Sequence, residues 1–134
     1  MRKLRNDELQ RIDIDGFKKT PKIPLIIILD NVRSMNNIGS IFRTADAFIV
    51  EKIYLCGITA TPPNKEIQKT ALGSTQSVNW EYVKDIKKLI SKLKKQNVYV
   101  WSIEQADKSI KLDKINIYKN IISNLTINFK IHLA

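Results

Sequence analysis

Cysteine is nearly absent from this sequence, and the single Cys56 excludes an internal disulfide. Its setting, Ile53-Tyr54-Leu55-Cys56-Gly57, reads as small buried packing at a strand end, with a reactive thiol as the alternative. Long apolar runs are missing too; none approaches the ~20 residues of a membrane helix. Met1-Arg2-Lys3-Leu4-Arg5 is charged, but no apolar segment follows it, so no signal peptide is expected and the cytoplasm is the default compartment. Glycine and proline number four each, and neither occurs after Gly73. Tight turns around a nucleotide cofactor draw on glycine for close backbone approach and positive φ, so this absence weighs against such a loop in the last part of the chain. Histidine occurs once, as His132, and reads as incidental.

Acidic residues are also scarce. Lys and Arg number 23 against 13 Asp and Glu, giving a net charge of +10. Such a balance favours a polyanionic partner, nucleic acid first. The competing explanation is compositional drift, because Lys, Ile and Asn are abundant and the charge is spread out. One cluster stands apart: Lys84, Lys87, Lys88, Lys92, Lys94 and Lys95 flank Val83, Ile86, Leu89, Ile90 and Leu93. That spacing is an amphipathic helix whose basic face is either solvated or in contact with RNA. The length of 134 residues suits one domain with a modest core.

Hydrophobic patterning predicts a short charged helix from Arg2 to Ile12, then a linker from Gly16 to Pro24 stiffened by Pro21 and Pro24. Leu25-Ile26-Ile27-Ile28-Leu29 is a continuous apolar run, the pattern of a strand covered on both faces. A loop at 30–36 follows. Asn36 or Asn37 is the expected cap of a helix over Ile38 to Phe48. The pattern then predicts a strand at Ile53 to Cys56, a stiff loop at Thr59 to Asn64, and a helix from Lys65 to Leu72 stopped by Gly73. An extended segment at Val78 to Tyr82, the Lys-rich helix at Lys84 to Lys95, and a strand at Val98 to Ile103 complete the alternation. The expected fold is α/β, a parallel sheet with right-handed crossovers and helices on both faces. Beyond Ala106 the pattern loosens into Asn- and Ile-rich sequence, in which alternation at Ile127, Phe129, Ile131 and Leu133 suggests one strand.

The chemistry concentrates between the first strand and helix, in Asn36-Asn37-Ile38-Gly39-Ser40-Ile41-Phe42-Arg43-Thr44-Ala45-Asp46-Ala47-Phe48. A strand-to-helix junction is where α/β proteins present ligand-binding groups. Gly39 would open the helix start to a phosphate or ribose approaching backbone N–H groups. Arg43, one turn on, offers a rigid five-donor fork for a phosphodiester or ribose hydroxyl. Asn37 would position Arg43 or the ligand, and Asn36 and Ser40 would add contacts. The competing reading is a capped amphipathic helix with Arg43 paired to Asp46 at the surface.

Asn37-x-Gly39-Ser40-x-x-Arg43-Thr44-Ala45-Asp46-Ala47 resembles the first motif of the SpoU-type (TrmH-like) RNA ribose 2′-O-methyltransferases of the SPOUT superfamily. The lead-in Leu29-Asp30-Asn31-Val32, the strand Lys52-Ile53-Tyr54-Leu55-Cys56-Gly57, the stretch Lys69-Thr70-Ala71-Leu72-Gly73-Ser74 and Trp80-Glu81-Tyr82 are similar to that family in order and spacing, over about residues 20 to 110. The resemblance implies a SPOUT-like fold with a Rossmann-like N-terminal portion. It also implies S-adenosylmethionine as methyl donor, tRNA or rRNA as substrate, and a homodimer. It makes Arg43 and Asn37 the catalytic pair, and Asn36, Gly39, Ser40 and Arg43 the RNA contacts. A free Arg is too weak an acid to act readily as a base, so its expected work is electrostatic and positional.

The family's later motifs, a Gly-rich loop with an acidic residue and a Pro-Ser-Leu-Asn loop entering a final helix, have no counterpart here. They build the C-terminal trefoil knot, hold the cofactor and form much of the dimer interface. The knot is therefore expected to be incomplete or absent, and no cofactor-binding residue and no metal site is assigned. The expected organisation is an N-terminal helix and linker at 1–20, the methyltransferase portion at 21–110 and a divergent tail at 111–134. Three readings stay open: a methyltransferase interrupted by a frameshift or premature stop, a shortened relative that binds RNA without catalysis, and a generic basic α/β domain. Loss of the last elements predicts an uncovered sheet edge and an exposed apolar face.

Overall fold

Strand and helix periodicities alternate through most of the chain, and the structure follows that alternation. This computed structural model describes residues 12–103 without a break, the strand Ile127–Ile131, and residues 2, 3, 5, 8, 107, 109, 111 and 114. The elements run α1 (Ile14–Lys19), β1 (Ile23–Asp30), α2 (Met35–Ala47), β2 (Val50–Cys56), α3 (Lys65–Ala71), α4 (Ser74–Ser77), β3 (Trp80–Val83), α5 (Ile86–Lys95), β4 (Val100–Ile103) and β5 (Ile127–Ile131). The strands form one sheet in the order β3-β2-β1-β5-β4, with every pairing parallel.

The central place of β1 explains its composition. It pairs with β2 on one side (Ile27 opposite Ile53) and with β5 on the other (Ile27 opposite Phe129). A parallel strand covered on both faces reads as unbroken apolar sequence. Its side chains alternate between two cores. Ile27 and Leu29 join Phe17, Ile38, Phe42, Ala45, Ile53, Leu55, Ile67 and Ala71 under α1, α2 and α3. Ile26 and Ile28 join Tyr54, Cys56, Leu89 and Leu93 under α5. Helices thus lie on both faces, as the alternation predicts. Phe42 is fully buried and meets the Trp80 ring edge-on at 6.5 Å. A buried apolar side chain of that size contributes about 1.5–3 kcal/mol.

Four expectations are corrected. Part of the expected linker from Gly16 is helix: Asp13 caps α1 by accepting from the Gly16 N–H at 2.7 Å, and Phe17 anchors the turn in the core. The cap of α2 is Ser34, so this helix starts at Met35 and both Asn36 and Asn37 lie inside it. A short helix, α4, occupies Ser74–Ser77 where none was expected, and the third strand begins at Trp80. The strand expected from Ile127 inserts between β1 and β4. The apolar face of β1 and β2 over α5 is buried. Strands β3 and β4 are the sheet edges. The expected helix from Arg2 and the expected shortfall of the knot fall mostly outside the described residues, and His132 lies outside them entirely.

Candidate functional site

The loops at the C-terminal ends of β1 and β2 are fastened to each other. Asn31, at φ 57°, donates its backbone N–H to the Cys56 carbonyl at 3.2 Å. Its side-chain oxygen accepts from the Ile58 N–H at 3.1 Å, and its amide donates to Asp30 Oδ1 at 2.9 Å. Thr59 Oγ1 accepts from the Val32 N–H and donates to the Leu29 carbonyl, each at 3.0 Å. Gly57, at φ 62°, leaves room for this arrangement: a Cβ there would lie 2.1 Å from Asn31 Oδ1. Burial, with the nearby Asp30 charge as the lesser cause, pushes the Cys56 thiol up to about 11. That is a protonated packing residue rather than a reactive thiol.

From this platform α2 rises with two distinct faces. Ile38, Gly39, Phe42 and Ala45 are buried. Asn36, Ser40, Arg43, Thr44 and Ala47 are exposed. The helix start is closed: Ser34 Oγ accepts from the Asn37 N–H at 3.3 Å, and the Ile38 N–H donates to the Ser34 carbonyl at 3.1 Å. Gly39 therefore does not open backbone N–H groups to a ligand. It sits in the second turn, buried against α3, where an added Cβ would meet Thr70 Oγ1 at 2.1 Å and the Ile67 carbonyl at 2.3 Å. Its lack of a side chain lets two helices touch. The sequence reading went astray because it began the helix at Ile38, which placed Gly39 at the exposed end.

The proposed surface pair of Arg43 with Asp46 is also absent. Asp46 Oδ1 instead accepts from Ser77 Oγ at 2.5 Å, tying α2 to α4. Arg43 is exposed and has no hydrogen bond or ion pair among the described residues. Asn36, Ser40 and Arg43 share one stripe, at helical offsets of four and three residues. Asn37 is half-buried and lies off that stripe by about a third of a turn, without a hydrogen bond to Arg43.

Two residues of α3 complete this surface. Ser40, Arg43, Thr44, Ala47, Phe48, Lys69 and Thr70 line an open concavity of ≈ 500 Å³. Thr70 and Ser40 both donate their hydroxyls to the Asn36 carbonyl at 2.9 Å, and Thr44 donates to the Ser40 carbonyl at 3.0 Å. Lys69 pairs with Glu66 at 2.7 Å in an exposed contact. Sequence reasoning marked the Lys69-to-Ser74 stretch without giving it a role, and its amphipathic-helix reading packed Phe48 on the sheet, whereas the structure leaves Phe48 exposed. The lysines of α5 form a separate exposed face on the other side of the sheet, behind Leu89 and Leu93. Among the described residues no group of three or more His, Cys, Asp or Glu stands close enough to hold a metal, and no helix is long and apolar enough to cross a membrane.

The geometry has clear relatives. Over 86 residues the chain is 33% identical to a 23S rRNA (guanosine-2'-O-)-methyltransferase of Blochmanniella floridana, covering 63% of this chain and 34% of that protein. Over 103 residues it is 26% identical to an uncharacterized tRNA/rRNA methyltransferase of Borreliella burgdorferi, covering 77% and 45%. The chain thus spans a third to just under half of these curated relatives. Its fold is like that of the A. aeolicus TrmH/SpoU tRNA modifying enzyme, at a TM-score of 0.69 and 21% identity, over 92% of this chain and 58% of that one. It is also like that of an AdoMet-bound rRNA methyltransferase from Sinorhizobium meliloti, at 0.64 and 23%, over 90% and 44%. The model of the SpoU rRNA Methylase family matches residues 24–125, which takes in the fastened loops, α2, α3 and the sheet up to β4. The chain belongs to the SpoU rRNA Methylase family.

Proposed function

We propose that this chain supplies the RNA-facing half of a ribose 2′-O-methyltransferase site acting on tRNA or rRNA. The observation that carries this reading is Arg43. It is a guanidinium with no partner among the described residues, on a helix whose other face is locked at Gly39 and whose C-terminal half is tied at Asp46. A fixed helix with a free five-donor fork is prepared for a phosphodiester or for the oxygen of a 2′-hydroxyl. Arg43 holds the target nucleotide and stabilises negative charge growing on the attacking oxygen. Asn36 and Ser40 border the same stripe, and Asn37 faces the adjoining quarter. Gly39 acts through packing, not contact. A cytoplasmic location and a homodimer belong to the same proposal.

In this reading S-adenosylmethionine supplies the methyl group, as the AdoMet-bound solved relatives suggest. Among the glycines of the family-matched segment, Gly57 is filled by Asn31 and Gly39 by α3, Gly73 has open space around it at φ 89°, and none follows it. No step is therefore assigned to residues on the cofactor side. That same scarcity favours a second reading, an RNA-binding protein of this family without methyl transfer.

Methyl transfer from labelled S-adenosylmethionine to total tRNA and rRNA separates the two readings. Under both, RNA binds saturably and weakens steeply with salt. Arg43→Ala lowers the salt slope by about one phosphate contact, roughly 0.7 for single strands. Unchanged affinity and slope in that variant would remove α2 from the RNA contact. Absence of saturable RNA binding would overturn the proposal.

A further inference from the structure

Phe48 caps the C-terminal end of α2 and is 62% exposed, while Phe17 and Phe42 are buried. A single exposed apolar residue is ordinary by itself. What surrounds this one is not. The concavity it lines also holds the Arg43 and Lys69 cations. An apolar protein surface closing over Phe48 would have to strip water from both charges, at a penalty the ring does not offset. A nucleotide fits both halves of the surface, because it joins a flat apolar base to a phosphate.

The hydroxyls sharpen the match. Ser40, Thr44 and Thr70 each spend their one donor on a backbone carbonyl. They face the concavity as acceptors and have no proton to give a phosphate. Phosphate is left to Arg43 and to Lys69, whose exposed pair with Glu66 is weak enough to exchange. The hydroxyl acceptors suit ribose 2′-hydroxyls and base amino groups. Along the helix axis Phe48 lies about 7.5 Å beyond Arg43. Five residues also turn about 140° around the axis, so the ring and the guanidinium meet different parts of a bound strand, the ring a nucleotide next to the one held at Arg43.

We infer that Phe48 is a stacking platform for an unpaired base next to the nucleotide held at Arg43, so that the site takes single-stranded RNA or a loop. The inference rests on the RNA-facing role of α2 proposed above. Aromatic stacking selects splayed-out bases, which a continuous duplex does not present.

The test uses the whole chain, a short single-stranded RNA, and the same RNA with an abasic site at each position in turn. Phe48→Leu keeps apolar bulk and removes the ring. It weakens binding by about 5- to 150-fold and leaves the salt slope unchanged. Phe48→Tyr binds like the parent. One abasic position abolishes the difference between parent and Phe48→Leu. Thermal melts check that the variants fold, which exposure of the side chain leads one to expect. Equal binding by Phe48→Leu overturns the inference and leaves the role of Arg43 standing. So does a change confined to self-association in sedimentation, which makes the patch a protein contact. If the parent itself shows no salt-dependent RNA binding, the function reading fails, and the inference with it.

Discussion

Replacing Gly39 by alanine separates two uses of the same residue. The new Cβ would lie 2.1 Å from Thr70 Oγ1, 2.3 Å from the Ile67 carbonyl oxygen and 3.0 Å from the Ala71 nitrogen. Thr70 can rotate aside by giving up its 2.9 Å bond to the Asn36 carbonyl, a loss of about 0.5–1.5 kcal/mol. The Ile67 carbonyl belongs to helix backbone and cannot rotate. To reach ordinary contact α3 has to retreat by roughly 1 Å from an interior packed at crystal density. Overpacking of this kind is destabilising by about 1–3 kcal/mol. Alanine's better helix propensity returns about 1 kcal/mol. The balance is a loss of about 1–3 kcal/mol, since the hydrogen bond and propensity terms nearly cancel. At this chain length each kcal/mol lowers Tm by roughly 3–6 °C.

Urea titration followed by circular dichroism measures the loss directly. Thr70→Ala in the Gly39→Ala background recovers only part of it, because the Ile67 carbonyl still obstructs. An opening for phosphate at Gly39 makes the opposite prediction: normal stability with weakened RNA binding. A Gly39→Ala protein as stable as the parent refutes the packing argument.

The remaining predictions concern the supports of α2 and its platform. Gly57→Ala places a Cβ 2.1 Å from Asn31 Oδ1 at a positive φ; it should destabilise by about 1–3 kcal/mol in urea melts. Ser77→Ala removes the donor to Asp46 and should lower stability by about 1 kcal/mol, with hydrogen exchange rising at the C-terminal turn of α2. The Cys56 thiol, raised from 9.0 to about 11, stays protonated in the folded protein over a range where the unfolded chain has lost its proton. Stability should therefore be unaffected by this group below pH 9 and fall as pH rises toward 11. Cys56→Ala should lack that component of the fall, and the native thiol should resist thiol reagents until the chain unfolds.

Much of this was legible in the sequence, and the failures share a cause. Continuous apolar runs marked β1 and β2, and a 3.6-residue period marked α2 and α5, because those signals arise from burial on a fixed face. The alternation from Ile127 marked a strand, but nothing local told that it inserts beside β1. Strand order depends on long-range pairing. The motif singled out Asn37 and Arg43, whose roles are those proposed above, while Gly39 was read as exposed and is buried. Its chemistry is defined by Thr70 and Ile67, some thirty residues away. The helix cap was misplaced for a simpler reason: Ser34, Asn36 and Asn37 all have capping side chains, and only the backbone decides among them. Asn31 and Thr59 were named only as parts of a lead-in and a loop, because each works by joining one loop to another.

The two faces of α2 divide the work of the helix in a way that bears on how its variants should behave. Gly39 and the buried Ile38, Phe42 and Ala45 fix its position; the side chains of Asn36 and Arg43 face outward with no hydrogen bond among the described residues. Substitutions on the inner face should therefore alter stability and RNA affinity together, as the whole helix shifts. Those on the outer face should alter affinity alone. Ser40 is the informative intermediate. Its hydroxyl is exposed, yet it shares the Asn36 carbonyl with Thr70 of α3. Ser40→Ala frees one acceptor lone pair and leaves the helix pair joined through Thr70. Under the proposed function, the same division would let an exposed arginine act with precision. Its own side chain is free, but the backbone beneath it is held by α3 through Gly39 and by α4 through Asp46. The freedom needed to meet a phosphate is thus confined to the side-chain rotamers of Arg43.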